Sequence, residues 1–435
     1  MLFTSRHIAI ENLQNFVRAA LFTATAMGLT HPAMSQQPSK SRAFATGAER
    51  LVASAFAPLK GLRVGLVTNQ TGLVNSAHLA DMIHQAKGVQ LTAILAPEHG
   101  FRGAIEAGAK VAGGVDPSTG IPVYSLYGKT RKPTAHMLRN IDVLVFDIQD
   151  VGVRFYTYIS TMGLAMQAAA DAKIPFVVLD RPNPLGGKYV SGFILQPAQH
   201  SFVGQYPIPI AHGMTVGELA LMIKGEKWLK GLETLELEVI EMSGWNRSMI
   251  WPATRRKWVA TSPNIPTFES ALVYPGTGLV GLTAVNEGRG TPTPFSLIGA
   301  PWLDAKALAQ RLNKLGRPGV SFHTQSYVPR SIKGVAAHPR FKNTKLTGVR
   351  INLTDINAFE PLETGIHILA QLVQEARRVN RARLFTELKM FHLLAGTKDL
   401  HRMLKSRKSA KEIIASWQND ISKFKDQRAH YLLYR

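Results

Sequence analysis

The chain has 435 residues, 45% of them hydrophobic, which suits about two or three domains with a real core and excludes a disordered chain. Lys+Arg number 51 against 29 Asp+Glu, and the formal charge of +22 favours polyanionic surroundings such as nucleic acid, phosphate-rich lipid or an acidic wall polymer. There is no cysteine, so disulfides, thiolate nucleophiles and cysteine-based zinc sites are excluded.

In chain order, Arg6, His7 and Arg18 precede an apolar stretch at residues 19–29, and small residues follow at Ala33-Met34-Ser35. A basic region, a short apolar core and a small-residue site are the logic of a signal peptide over residues 1–35, cut before Gln36 and delivering the protein to the periplasm or the exterior. That core is too short to anchor in a bilayer, and no other stretch reads as an integral membrane span. Residues 36–50 are small and polar and read as a flexible lead-in.

A strand–helix alternation then begins. Strands are expected at 63–68 (RVGLVT), 90–96, 121–126, 142–148 (DVLVFDI) and 175–179 (PFVVL), with helices at 77–87, 134–140, 158–173 and 215–229. Continuous apolar runs of this kind belong to a parallel sheet covered on both faces. The expected fold class is α/β, a Rossmann-like doubly wound parallel sheet. After residue 229 the pattern changes. Residues 235–242 (LELEVIEM) alternate like a half-exposed strand. Trp245, Trp251 and Trp258 cluster nearby, and Pro/Gly-rich passages follow at 262–266 and 274–278. Helices at 305–315, 362–378 and 410–424 and strands at 320–328 and 348–353 complete a smaller α+β domain. The boundary falls near residue 270, giving a Rossmann-like catalytic domain over 51–270 and an auxiliary domain over 271–435. The basic excess gathers late, at 402–411 and at Lys423, Lys425, Arg428 and Arg435. It carries no interleaved aromatics, so nucleic acid is not an expected partner.

The expected strands end in polar groups: Asn69 and Gln70; Glu98, His99 and Arg102; Asp147, Gln149 and Asp150, followed by Arg154; and Asp180, Arg181 and Asn183. In a parallel sheet these ends share one edge, so the groups converge on one crevice. The first strand runs into Asn69-Gln70-Thr71-Gly72 rather than a Gly-x-Gly-x-x-Gly turn, so no dinucleotide is expected. P-loop, His-Glu-x-x-His and Gly-x-Ser-x-Gly motifs are missing too. His99, Asp147, Asp150, Asp180 and His212 could ligate a divalent ion. Arg102, Arg154 and Arg181 lie in the same loops and match carboxylates as forks, so neither metal nor cofactor is expected.

Glycoside hydrolysis needs two carboxyl groups, one protonated and one ionised. Glu98 suits the acid, since burial near Phe101 raises a carboxyl pKa. Glu287 suits the partner, with Gly288 and Gly290 admitting a ligand and Arg289 orienting the carboxylate. A plain Glu287–Arg289 or Glu287–Arg102 salt bridge is the competing reading, and Glu106 and Glu269 are weaker alternatives. Glu218 serves the first turn of its helix. The substrate-binding candidates are His99, Arg102, Asp147, Gln149, Asp150, Arg154, Tyr156, Asp180, Arg181, Asn183, His212, Asn264 and Arg289, the arginines suiting a substrate carboxylate.

Residues 97–103 (PEHGFRG), 145–158 (VFDIQDVGVRFYTY), 179–187 (LDRPNPLGG), 262–266 (SPNIP) and 286–291 (NEGRGT) resemble, in order, the bacterial exo-β-N-acetylmuramidase family, long catalogued as a domain of unknown function. The resemblance covers residues 50 to 430. It implies a Rossmann-like domain with a smaller C-terminal domain, and release of terminal N-acetylmuramic acid from the non-reducing ends of peptidoglycan fragments by a glutamate pair. Glu98 maps onto the glutamate of PEHGFRG, and Glu287 takes the second role by motif position. Residues 104–108 depart from the family pattern, in which more acidic residues stand there, and this puts Glu106 in doubt. Peptidoglycan-derived saccharides are the expected partner. Two other readings stand beside this one: a metal-dependent esterase or amidase acting on wall material, and a non-catalytic wall-glycan-binding protein. Retention or inversion, glycan length and oligomeric state are left open.

Overall fold

The computed structural model describes residues 43–102, 113–381 and 383–435. The expected signal peptide, the lead-in up to residue 42 and Glu106 lie outside them. The lead-in ends earlier than expected. Thr46 caps the helix Gly47–Ala53 in a reciprocal box: its hydroxyl accepts the Glu49 N–H while the Glu49 carboxylate accepts the Thr46 N–H. A Thr-x-x-Glu start is easily lost inside a polar stretch.

Strand β1 (Arg63–Thr68) leads into a small hairpin of β2 (Leu73–Val74) and β3 (Ala77–His78), so the expected helix begins only at Leu79–Gln85. Then come β4 (Gln90–Ala96), β5 (Gly114–Val115), β6 (Pro122–Ser125), β7 (Val143–Asp147), β8 (Phe176–Leu179) and β9 (Leu237–Ile240). They form one sheet in the order β5-β6-β4-β1-β7-β8-β9, parallel except for β5 against β6. This is the expected Rossmann-like α/β sheet, with β5 as an addition. The direction of winding switches between β1 and β7.

Side chains alternate between two cores, as the two-residue period of a strand requires. Val64 and Leu66 of β1, Val143 and Val145 of β7, and Val177 and Leu179 of β8 pack on one face with Leu51, Leu59 and Ile83. Leu144 and Phe146 of β7 and Phe176 and Val178 of β8 pack on the other with Ile159, Met162 and Leu219. The second core continues into the smaller domain through Ile298, Leu308, Leu362 and Leu369.

That domain holds an antiparallel sheet of β10 (Leu297–Gly299), β11 (Val320–Tyr327) and β12 (Leu346–Leu353) in the order β10-β12-β11. The Pro/Gly-rich passage at 274–278 is not a loop. It lies inside the helix Phe268–Val280, with Pro275 in the helix interior. The expected helix at 410–424 is two, Ala410–Ser416 and Gln418–Arg428, broken at Trp417. Helices Leu388–Ala395 and Asp399–Lys405 were not foreseen.

Candidate active site

Glu98 lies in the turn after β4. The Gly100 N–H donates to the Pro97 carbonyl at 3.0 Å, closing a tight turn with His99 at its third position. His99 holds φ +73°, a left-handed conformation usually left to glycine, and its side chain is buried. The backbone is therefore strained beside Glu98. Glu98 itself is half-buried. Its Oε2 accepts the Thr157 hydroxyl at 2.7 Å, just before the helix Tyr158–Ala172. Tyr127, just beyond β6, also bonds Glu98; burial, then the charge and hydrogen bond of Glu98, push the Tyr127 hydroxyl up to about 12. Phe101 packs edge-on against His78 and under the Arg102 guanidinium. Two hydroxyls, those of Thr157 and Tyr127, thus bond the Glu98 carboxylate.

The ends of β1, β7 and β8 are knitted together. Thr68 Oγ1 donates to the Asp147 carbonyl at 2.9 Å, and Thr71 Oγ1 accepts the Gln149 N–H at 2.9 Å. Arg181 grips Asp147 as a fork, Nε to Oδ1 at 2.6 Å and Nη2 to Oδ2 at 3.0 Å, both side chains buried. Gln149 Nε2 donates to the carbonyls of Asp150 and Pro182, while its buried Oε1 accepts nothing among the described residues. Gln70 Nε2 reaches across to the carbonyls of Ala260 and Thr261. A cavity of about 650 Å³ opens at this switch point, lined by Thr71, Gln149, Arg181, Trp251, Arg255 and Trp258 among others. Crevices outside the carboxyl ends of strands at a switch point are where open α/β sheets bind ligands.

Several predicted ligands are internal instead. Arg154 is fully buried and donates to the carbonyls of Phe193, Ile208 and Leu394. Asp180 accepts Tyr434 at 2.5 Å, Thr215 at 2.7 Å and the Gly217 N–H at 2.8 Å. Asn183 pins its own turn through Leu185 and Met214, and approaches Gly152 so closely that a side chain there would collide with it. His212 Nδ1 accepts the Met214 N–H; burial, then the charges of Arg428 and Arg154, pull its imidazole down to about 3. These groups sit at the strand ends as expected, but other parts of the chain occupy them. Arg102 bonds Asp116 at 2.8 Å, yet its side chain stays 47% exposed, enough to meet a ligand. Asp150 Oδ1 accepts the Gly152 N–H, and burial pushes its carboxyl up to about 7. Asn264 donates to the Val335 carbonyl at 2.6 Å.

Glu287 is buried and forms an ion pair with Arg289, one of the two pairings its sequence allowed. Gly288 and Gly290 take φ +85° and +82°, and a side chain at either would strike the chain's own backbone at Thr293 or Arg330. Here the glycines serve the loop rather than a ligand. Tyr274 joins the two halves. Burial raises its pKa, and the charges of Arg289, Glu98 and Asp150 all reach it. Its ring packs on Phe155, Tyr156 and Phe295. Tyr156 donates to Thr261 Oγ1 at 2.8 Å and Tyr158 to the Thr261 carbonyl at 2.5 Å. Thr157, Tyr127 and Tyr274 escaped sequence reasoning. Tyr127 was within its reach, because it follows β6 as Glu98 follows β4. Among the described residues no group of three or more His, Asp or Glu is placed to hold a metal ion.

Fold and crevice together define a two-domain α/β protein with a polar crevice at the switch point of its larger sheet. The family model for the N-terminal part of the exo-β-N-acetylmuramidase NamZ matches residues 64–269, and that for the C-terminal part matches 272–434. The peptidoglycan β-N-acetylmuramidase NamZ of Bacillus subtilis (strain 168) is 42% identical over 404 residues, covering 93% of this chain and 94% of that protein. Two crystal structures of DUF1343 family proteins from Bacteroides fragilis superpose with TM-scores of 0.82 and 0.74, at 39% and 37% identity. Each covers 90% of this chain and 99% of its own. The chain belongs to the NamZ exo-β-N-acetylmuramidase family.

Proposed function

We propose that this protein is an exo-acting glycoside hydrolase that releases terminal N-acetylmuramic acid from peptidoglycan fragments, with Glu98 as the general acid and Glu287 as the ionised partner. The observation that carries the reading is the arrangement around Tyr274, which lies within reach of the charges of both Glu98 and Arg289, the ion-pair partner of Glu287. The two carboxylates have different partners: the Thr157 hydroxyl donates to Glu98, and the Arg289 guanidinium pairs with Glu287. Glu98 comes from the domain ending near residue 270 and Glu287 from the one that follows. The sugar ring belongs between them. Arg102, half-exposed beside Asp116, suits the lactyl carboxylate of the substrate. Residues 1–35 act as the signal peptide that brings the enzyme to the periplasm or the exterior.

The test is hydrolysis of a chromogenic N-acetylmuramic acid glycoside. Glu98→Gln is expected to lower kcat by about 10²–10⁴-fold with an unchanged unfolding midpoint, the usual weight of a positioned proton donor. Near wild-type turnover in that variant overturns the assignment of the acid, and an inactive wild type overturns the hydrolase reading itself.

A further inference from the structure

The positive charge of this chain has an address. Residues 376–411 carry eleven Lys or Arg against two acids, Glu387 and Asp399. They run on from the last turn of the helix Pro361–Arg378 and contribute to two adjoining clefts that share Val373 and Arg377. The larger, about 810 Å³, is lined by Arg378, Arg407, Lys408 and Lys411. The smaller, about 340 Å³, is lined by Arg381, Arg383 and Lys405. No carboxylate lines either cleft. Arg378 pairs with Glu375 and Lys408 with Glu412. Arg381, Arg383, Lys405, Arg407 and Lys411 have no ion pair among the described residues. Like charges held this close repel one another, and an anionic partner relieves that repulsion.

An independent observation narrows the partner. Among the described residues five large apolar side chains are exposed: Val115, Leu315, Val379, Leu388 and Met390. Leu315 lines the larger cleft and Leu388 the smaller. Val379 directly follows Arg378, and Met390 shares the short helix that Leu388 begins. Nucleic acid or an acidic polymer would engage the cations and leave these side chains idle in water. An anionic bilayer engages both, the phosphates meeting Lys and Arg while the apolar groups enter the headgroup boundary. No helix among the described residues is long and apolar enough to cross a membrane, so such binding is peripheral.

We propose that this face of the smaller domain docks the protein on the surface of an anionic lipid bilayer. The purified chain is sedimented with vesicles of phosphatidylcholine alone or with phosphatidylglycerol admixed. Binding is expected with the anionic vesicles only, falling as salt is raised. The triple variant Arg381→Glu/Arg383→Glu/Arg407→Glu is expected to lose binding, and Leu388→Asp to weaken it at least ~10-fold. Both variants are expected to keep the wild-type circular dichroism spectrum and its turnover of the soluble glycoside. Equal binding to neutral vesicles overturns the proposal, as does a triple variant that binds like wild type. Full vesicle binding by Leu388→Asp, with heparin competing it away, assigns the face to a polyanionic polymer and likewise overturns it.

Discussion

Arg154 stands among the polar groups that close β7, where a cation invites assignment to a substrate carboxylate. Its surroundings argue otherwise. Burial pulls its pKa down to about 9, and its N–H groups go to three main-chain carbonyls from two distant segments. A buried carbonyl left unsatisfied costs about 1–3 kcal/mol. Arg154→Met should therefore destabilise the protein by about 1–3 kcal/mol, while the fraction that folds keeps its KM. Urea midpoint and KM on the same samples check this, and a raised KM at unchanged stability would return Arg154 to the substrate. The residue types at the strand ends were legible in the sequence, and so was their gathering at one edge. Which of them the chain itself consumes was not. Asp147 is taken by Arg181, Asp180 by Thr215 and Tyr434, and His212 by the turn at Met214. The partners of Asp147 and Asp180 lie from 34 to 254 residues away, a range that local pattern does not reach.

At the scale of elements, the parallel strands were readable because burial on both faces writes itself as unbroken apolar runs. The helix Phe268–Val280 was not legible because Pro275, Gly276 and Gly278 are poor helix formers. Its glycines answer to packing. A methyl group at Gly276 would meet the backbone of Pro361 and lie 2.8 Å from Gly365 Cα, and one at Gly365 would lie 2.7 Å from the Gly276 carbonyl carbon. Two helices thus cross at glycine contact. Gly276→Ala sets about 1 kcal/mol of helix propensity gained against backbone overpacking of about 1–3 kcal/mol or more. Overpacking should win, because neither neighbour is a side chain that can swing away. The expected outcome is a lower melting temperature with a shared effect on turnover, since Tyr274 rides on the same helix. An unchanged melting temperature would mean that the crossing yields easily. β6 teaches a complementary lesson. Its end carries Tyr127 to Glu98, just as the end of β4 carries Glu98 itself.

The whole molecule is closed by its C-terminus. Tyr434 lies on the first domain, donating to Asp180 at 2.5 Å and accepting the Met242 N–H at 3.0 Å, with Trp245 edge-on to its ring. The Leu433 N–H reaches Glu218, and Arg428 reaches the carbonyls of His212, Gly213 and Gly187. A segment that sequence order assigns to the second domain therefore completes the strand-end chemistry of the first. Burial pushes Asp180 up to about 7, although the Tyr434 hydroxyl and the Gly217 N–H work to lower it. An unfolded aspartate titrates near about 4. Between those two values the folded chain holds a proton that the unfolded chain has lost, so this residue's contribution to stability falls as pH rises through that window. Tyr434→Phe removes a donor to the charged form, so the folded pKa climbs further and the window widens upward. The variant should lose about 1 kcal/mol near pH 5, where Asp180 is protonated, and about 2–3 kcal/mol near pH 8, where a charged carboxylate has lost its hydrogen bond. Urea denaturation of both proteins at the two pH values measures the difference. A loss that stays constant with pH would mean that Asp180 is ionised throughout, and that the C-terminal segment is held by packing on Trp245 rather than by the carboxylate it covers.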